Sequence, residues 1–368
     1  MPDNLVNSRP LLAYLAFGSD TYHHEAVFSI CSAVAQLRAG AQDLDIRVYT
    51  DNPEPYRDLP VQVQLLDVQT LKNWCEPHGY HFRVKHVLVR ELLLEREVAI
   101  LIDTDTLFHT SPLALFALVR PGVLLCNEIR ETYGSHPDSL LYIHLRDELQ
   151  GRALIDDQMH MLNSGVIGMH RDDIELLDHS IALMDDLFPR ARGAYILEEF
   201  CLAMAARNRV QVCACPTQIH HYWSRKQLFR AKVRAWLGKH SGQLLSEAAL
   251  DDIANVRTQI PRPPTLNRLT YKLATMGLDP LARQFMREVL NGCYKHPNEF
   301  DQACATVWWD KARENFESRA KTSLDPQQLE LWLNTLGMRL LLGDQRRDIA
   351  RHLERKAPPA QDTSHALH

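Results

Sequence analysis

The stretch Val98-Ala99-Ile100-Leu101-Ile102-Asp103-Thr104-Asp105 limits most what this chain can fold into. Five consecutive apolar residues with no polar alternation read as a strand buried on both faces of a parallel sheet. Two carboxylates follow it, one residue apart. In extended chain, residues i and i+2 point the same way, so Asp103 and Asp105 can face one site. Ligands of open α/β sheets sit just beyond the carboxyl ends of the strands. Two acids converging beside apolar chain are costly unless a cation or a proton lies between them. A hard divalent metal is the expected occupant.

The surrounding sequence reads as α/β. Residues 1–10 are polar and read as a frayed terminus. Residues 11–17 form an apolar strand ending in the Gly18-Ser19-Asp20 turn, and residues 26–37 have helical spacing with Gly40 as the cap. Strands are expected at 45–50, which runs out at Asp51, and at 61–66. An amphipathic helix over 83–95 then feeds directly into the Asp103 strand. Beyond it come a strand at 123–126, a polar insertion over 131–157, flexible or partly helical, and a glycine-bearing strand at 161–168. Helices at 174–188 and 198–208 and a strand at 210–213 lead to His220-His221-Tyr222-Trp223. Strand signals stop there. Residues 227–237, 244–255, 267–276, 281–290, 300–321 and 327–342 read as helices, punctuated by prolines.

Charge divides at the same place. Up to Arg225 there are 19 Lys+Arg against 30 Asp+Glu; from Lys226 onward there are 22 against 16. The expected organisation is an α/β domain over 1–225, a helical domain over 226–356 and a disordered tail over 357–368. The net charge of −5 and the lack of a recognition motif argue against nucleic-acid binding. No apolar run approaches the roughly 20 residues that span a bilayer, and no signal peptide is expected. Eight scattered cysteines without a CxxC pair fit reduced thiols in a cytoplasmic protein.

Four features of the first half gather around the acidic pair. Asp-x-Asp alone is cheap, and a second copy, Asp43-Leu44-Asp45, falls in a surface turn. The pair at Asp103 differs by standing at the end of a buried strand. Asn163-Ser164-Gly165 lies in a strand whose glycines let a ligand approach the backbone. Glu198 and Glu199 fall early on a helix, where they either complement its dipole or act on a substrate. His220 or His221 is a metal ligand of the kind that accompanies carboxylates, and Lys226 follows as a charge for phosphate.

In this order the features resemble GT-A glycosyltransferases, enzymes that use nucleotide-diphosphate sugars. The resemblance covers residues 11–226. It implies an α/β fold with a GT-A (Rossmann-like) open mixed sheet flanked by helices, here followed by an all-helical C-terminal region. It implies Mn²⁺ (or Mg²⁺) bound by Asp105, with Asp103 sharing the metal or touching the ribose beside Thr104, and by His221 or, less favoured, His220. Asn163, Ser164 and Gly165 would line the donor-sugar pocket, and Lys226 would bind the diphosphate. Arg83 and Lys85 match a basic helix entry facing the nucleotide, and Phe17 and Asp51 match positions that hold the base. Glu198 or Glu199 is the candidate base for the acceptor hydroxyl. The acceptor is a glycan, lipid-linked or protein group, and the expected location is cytoplasmic, at the inner membrane face where the acceptor is lipid-linked.

Two other readings compete. Asp103-Thr104-Asp105 also resembles the haloacid-dehalogenase phosphatase signature with Asp103 as nucleophile, and 343–348 matches one form of its later acidic motif. The strand's late position argues against this. The alternative without catalysis is a binding protein working through the basic amphipathic stretch 227–240. That stretch either docks its apolar face on the protein, the favoured outcome, or lies on an anionic membrane.

Overall fold

Hydrophobic runs without a polar face need cover on both sides, and the first half of the chain provides it by placing helices on either face of one sheet. The computed structural model describes residues 9–37, 44–191 and 193–355. Gly40, Asp43, residues 1–8 of the terminus and the 357–368 tail lie outside the described residues. The first of two units runs to Trp223 and includes Leu245–Leu250; the second holds Ser224–Leu244 and the chain from Asp251.

In chain order the first unit contains β1 (Leu11–Ala16), α1 (Asp20–Leu37), β2 (Asp45–Thr50), β3 (Gln62–Leu65), α2 (Val68–Cys75), α3 (Arg83–Glu95), β4 (Val98–Ile102) and β5 (Thr106–Phe108). There follow α4 (Leu113–Phe116), β6 (Val123–Thr132), α5 (Leu140–Gly151), β7 (His160–His170), α6 (Ile174–Ala191), α7 (Leu197–Ala206), β8 (Gln211–Ala214) and β9 (Ile219–His221). Seven strands form one sheet in the order β3-β2-β1-β4-β7-β6-β8, and β5 and β9 form a separate ribbon. Strand β7 runs antiparallel to both neighbours, while β1, β2, β3 and β4 are mutually parallel. The open mixed sheet flanked by helices is the expected fold.

Alternation along the central strands divides the core. Ala99 and Leu101 face a large cluster with Leu88 and Leu92 of α3, Leu177 and Met184 of α6, and Phe200 of α7. On the other face Tyr14 meets Ser29 of α1. Chain order reverses between β1, which leads to β2 and β3, and β4, which leads away to β7. That reversal opens a crevice at the strands' carboxyl ends, where Asp103 emerges.

The expected insertion over 131–157 is ordered. β6 extends to Thr132, and Ser139 caps α5 by accepting the Tyr142 N–H. The partly helical alternative thus holds, and what the sequence missed is the strand's extension beyond residue 126, because Glu128, Arg130 and Glu131 carry polar side chains on a strand that pairs with β7 through register shifts.

Beyond Trp223 the described chain is helical: α8 (Lys226–Lys239), α9 (Glu247–Asp252), most of which belongs to the first unit, α10 (Thr265–Ala274), α11 (Pro280–Cys293), α12 (Glu299–Gln302), α13 (Ala305–Ala320), α14 (Pro326–Leu333), α15 (Leu336–Leu342) and α16 (Gln345–Arg355). Phe285, Phe316 and Trp332 pack ring against ring at 5.4–5.8 Å in its core. The single helices expected at 300–321 and 327–342 are each broken in two. In the second case Thr335 takes an extended ψ of 150°. On α8 the apolar residues dock into the protein, the favoured outcome, and the basic side loses Lys232. Leu228, Phe229, Val233 and Trp236 are buried, and so is Lys232, whose ammonium pairs with Asp301 at 2.7 Å and donates to the carbonyls of Arg257 and Gln259. A cation satisfied by a carboxylate and two carbonyls belongs to the interior, so α8 has no apolar face for a membrane. The 343–348 segment joins the end of α15 to the start of α16, without the preceding strand that a phosphatase's acidic motif requires. No described helix is long and apolar enough to cross a membrane.

The sheet predicts its own energetics. Ile100 on β4 is fully buried, so Ile100→Ala should cost about 2–5 kcal/mol in urea unfolding. Leu65→Ala, on an exposed position of edge strand β3, should change stability by less than about 0.5 kcal/mol.

Candidate functional site

Two antiparallel pairings assemble the site. Because β7 runs against β4, its amino-terminal half lies beside the carboxyl end of β4, and the Asp103 N–H donates to the Gly165 carbonyl at 3.0 Å. Because β9 runs against β5, His221 lies opposite Thr106, and the Tyr222 N–H donates to the Asp105 carbonyl. Segments far apart in sequence are thereby fixed around one turn.

That turn is held from below by hydroxyls. Thr106 Oγ1 donates to the Asp103 carbonyl at 2.9 Å and meets Ser29 Oγ at 2.7 Å, which in turn meets the Tyr14 hydroxyl. Ser32 Oγ accepts the Phe108 N–H. All are buried. Ser29 and Ser32 stand three residues apart on the inward face of α1, and nothing local in the sequence marks them as partners of the strand-end turn.

One oxygen of Asp103, one of Asp105 and a ring nitrogen of His221 lie within 4.8 Å of one another. Donors around an ion at about 2.1–2.2 Å stand at most about 4.4 Å apart, so the group closes on a metal with shifts of tenths of an ångström. The His221 Nε2 lies 3.2 Å from Asp105 Oδ1 and 3.8 Å from Asp103 Oδ2. Its Nδ1 lies 2.8 Å from Asn163 Oδ1, which sets the ring's orientation. Burial favours the neutral ring, but the Asp105 carboxylate outweighs it and raises the His221 pKa.

Gly165 has a steric reason. A Cβ there would lie 2.1 Å from His221 Nδ1, far inside van der Waals contact. The histidine ring rests on the bare backbone.

Lys85 on α3 reaches both oxygens of Asp103, at 2.8 and 2.9 Å, and donates to Ser164 Oγ at 3.1 Å. Burial works against its charge, yet Asp103 and Glu198 hold the ammonium well above its usual range. Asp103 thus already has a cation partner in Lys85, and Asp105 pairs with His221. Arg83 departs from expectation. Two residues apart on a helix means about 200° of rotation, so Arg83 points away from Lys85, to Asp185 of α6 at 2.7 and 3.0 Å.

The two glutamates differ. Glu198 is buried with both oxygens engaged, by His86 Nε2 at 3.0 Å and Ser164 Oγ at 2.9 Å, and Lys85 and His86 keep it ionised against the effect of burial. Glu199 accepts the Asn163 amide and the Ser164 N–H through Oε1 alone. Its Oε2 lies 3.9 Å from Arg130, which stacks at 4.6 Å over Trp223. Burial and the neighbouring Glu198 charge raise its pKa to about 7. His86, Arg130 and Trp223 were not picked out as site residues from sequence, because nothing local marks a helical histidine as a carboxylate's partner.

The remaining candidates separate. His220 alternates to the other side of β9, toward His109, and burial lowers its pKa to about 4; it is not one of the three clustered donors. Thr104 is buried within the turn. Phe17 follows β1, and Asp51 at the end of β2 accepts the Gly18 N–H and pairs with His23 at 3.3 Å, so both stand on the same sheet edge as Asp103. Lys226 opens α8 in the second unit.

No family profile and no curated protein matches the chain. Among solved structures it is similar to the bifunctional glycosyltransferase WbbM, at 11% identity and a TM-score of 0.41 over 58% of this chain and 39% of that one. It is also similar to mouse xyloside xylosyltransferase 1, at 14% identity and a TM-score of 0.38 over 55% of this chain and 84% of that one. The chain spans about two fifths of the length of WbbM.

Gly165→Ala should push the His221 ring aside and break its bond to Asn163. Affinity of the Asp103–Asp105–His221 cluster for a divalent cation, measured by calorimetry, should fall about 10–100-fold, the usual cost of losing a ligand's outer support.

Proposed function

We propose that this protein is a GT-A-type glycosyltransferase that moves a sugar from a nucleotide-diphosphate sugar to an acceptor hydroxyl. The observation that carries the reading is the convergence of Asp103, Asp105 and His221 at the carboxyl end of β4, beside Lys85 and the Asn163-Ser164-Gly165 backbone. Two carboxylates and an imidazole suit Mn²⁺ better than Mg²⁺, which favours oxygen donors alone. Bound there, a divalent ion supplies Lewis-acid neutralisation of the diphosphate that leaves.

In this reading the bond between the anomeric carbon and the phosphate oxygen breaks, its electron pair leaves with the nucleoside diphosphate, and the acceptor oxygen bonds to that carbon. The acceptor's proton passes to a base. Glu199 is the candidate, since its Oε2 is free of the bonds that tie up Glu198 and its raised pKa brings it near the optimum for proton transfer at neutral pH. Glu198 is a positioning residue that sets Ser164 and, through it, Lys85. Lys85 keeps Asp103 ionised and oriented. Asn163 holds the His221 tautomer that presents Nε2 to a metal. Phe17 and Asp51 border the space for the nucleotide base.

Thermal-shift measurement with a panel of sugar nucleotides tests the reading. At least one should raise Tm only when Mn²⁺ is present, and release of its nucleoside diphosphate should depend on the metal and vanish in Asp105→Ala. A panel without any Mn²⁺-dependent shift would overturn it.

The pH profile tests Glu199 separately. A base with a raised pKa is inactive while protonated, so kcat/KM should rise with pH and level off above about 7. Glu199→Gln should lower kcat about 10²–10⁴-fold and remove that limb.

A further inference from the structure

Helix α10 carries its apolar stripe on the wrong side for a core helix. Leu266, Leu269, Leu273 and Met276, just past its end, are each between 52% and 77% exposed. At 100° per residue they fall within an arc of about 80°. Tyr271, which anchors the helix in the core, stands roughly opposite that arc. The outward face is therefore the leucine face.

A second row adjoins it. On α15, Leu336 and Leu340 are one turn apart and exposed, while Met338 and Leu342 point into the core. Gly337 sits so close to α10 that a Cβ there would lie 2.8 Å from the Ala274 carbonyl oxygen. The two helices therefore meet with both leucine rows turned outward. Contiguous exposed apolar surface of this kind marks an interaction site.

Charge indicates the partner. Residues 262–276 carry Arg262, Arg268 and Lys272 with no acid, and residues 336–347 carry Arg339, Arg346 and Arg347 against Asp344 alone. Leucines flanked by an excess of cations are the composition of an interfacial surface that settles into acyl chains while its cations meet lipid phosphates. A second copy of this chain would press one positive face on another. The segment after Arg355 has one leucine in thirteen residues and no Phe, Tyr or Trp, too little to cover six large apolar side chains.

We propose that the outward faces of α10 and α15 form a docking surface for an anionic lipid bilayer. The proposal is independent of the reaction assigned above and replaces α8, whose apolar residues are buried, as the membrane-facing element.

Co-sedimentation of the full chain with unilamellar vesicles tests it. The protein should pellet with phosphatidylcholine vesicles containing phosphatidylglycerol, remain in the supernatant with phosphatidylcholine alone, and be released as salt rises. Leu269→Glu/Leu273→Glu should weaken vesicle binding roughly tenfold or more, with Tm and far-UV circular dichroism unchanged. Leu336→Ser/Leu340→Ser reads the same surface from the other helix and serves if the first pair disturbs folding. The proposal is overturned if wild type ignores both vesicle types, if both pairs of substitutions bind as wild type does, or if wild type is a dimer that either pair converts to a monomer without affecting lipid binding.

Discussion

The site depends on one strand running the wrong way. In an all-parallel sheet the neighbour of β4 would bring its carboxyl end to Asp103, and Asn163-Ser164-Gly165, early on β7, would lie at the opposite edge. Reversing β7 carries that segment to the end of β4, where its carbonyl receives the Asp103 N–H and its amide side chain meets His221. The hydrogen bonds that would have closed the sheet become the scaffold of a polar pocket. Everything chemical that follows hangs on this reversal.

The pocket also solves an electrostatic problem. Asp103, Asp105, Glu198 and Glu199 are four acids in a half-buried space, and uncompensated burial of each would be prohibitive. Lys85 serves Asp103 and the Ser164 hydroxyl, His86 serves Glu198, and His221 serves Asp105. Glu199 receives the least: two neutral N–H donors and a guanidinium at the edge of ion-pair distance. The group left incompletely compensated is the one whose proton is easiest to exchange near neutrality.

Much of this was legible in the sequence. An apolar run without alternation can only be an interior strand, so β4 and the acids at its end followed from residue types alone. Spacing did worse where two neighbouring candidates shared a motif. It could not tell His220 from His221, because that choice depends on which side of β9 meets β5, nor Glu198 from Glu199, because that depends on which side of α7 meets α3. The match at the entry to α3 could not separate its two cations, which helical rotation sends to different neighbours, Arg83 to Asp185 and Lys85 to Asp103. The broken helices of the second unit were invisible for a related reason: Asn334-Thr335 interrupts no hydrophobic pattern, and only packing reveals the bend. His86, Ser29 and Ser32 carry no signal apart from their partners.

The donor cluster is divided between two pieces of architecture. Asp103 leaves a strand embedded in the seven-stranded sheet, while Asp105 immediately precedes, and His221 ends, the strands of a ribbon of two three-residue strands. The ribbon is nonetheless as deeply seated as the strand, since Thr106, Leu107, Phe108 and Ile219 are all buried. Thr106 bonds both the Asp103 carbonyl and Ser29 of α1, and Ser32 of α1 takes the Phe108 N–H, so the two parts of the cluster, joined through Thr104, rest on one helix. A displacement of α1 would therefore carry both carboxylates with it.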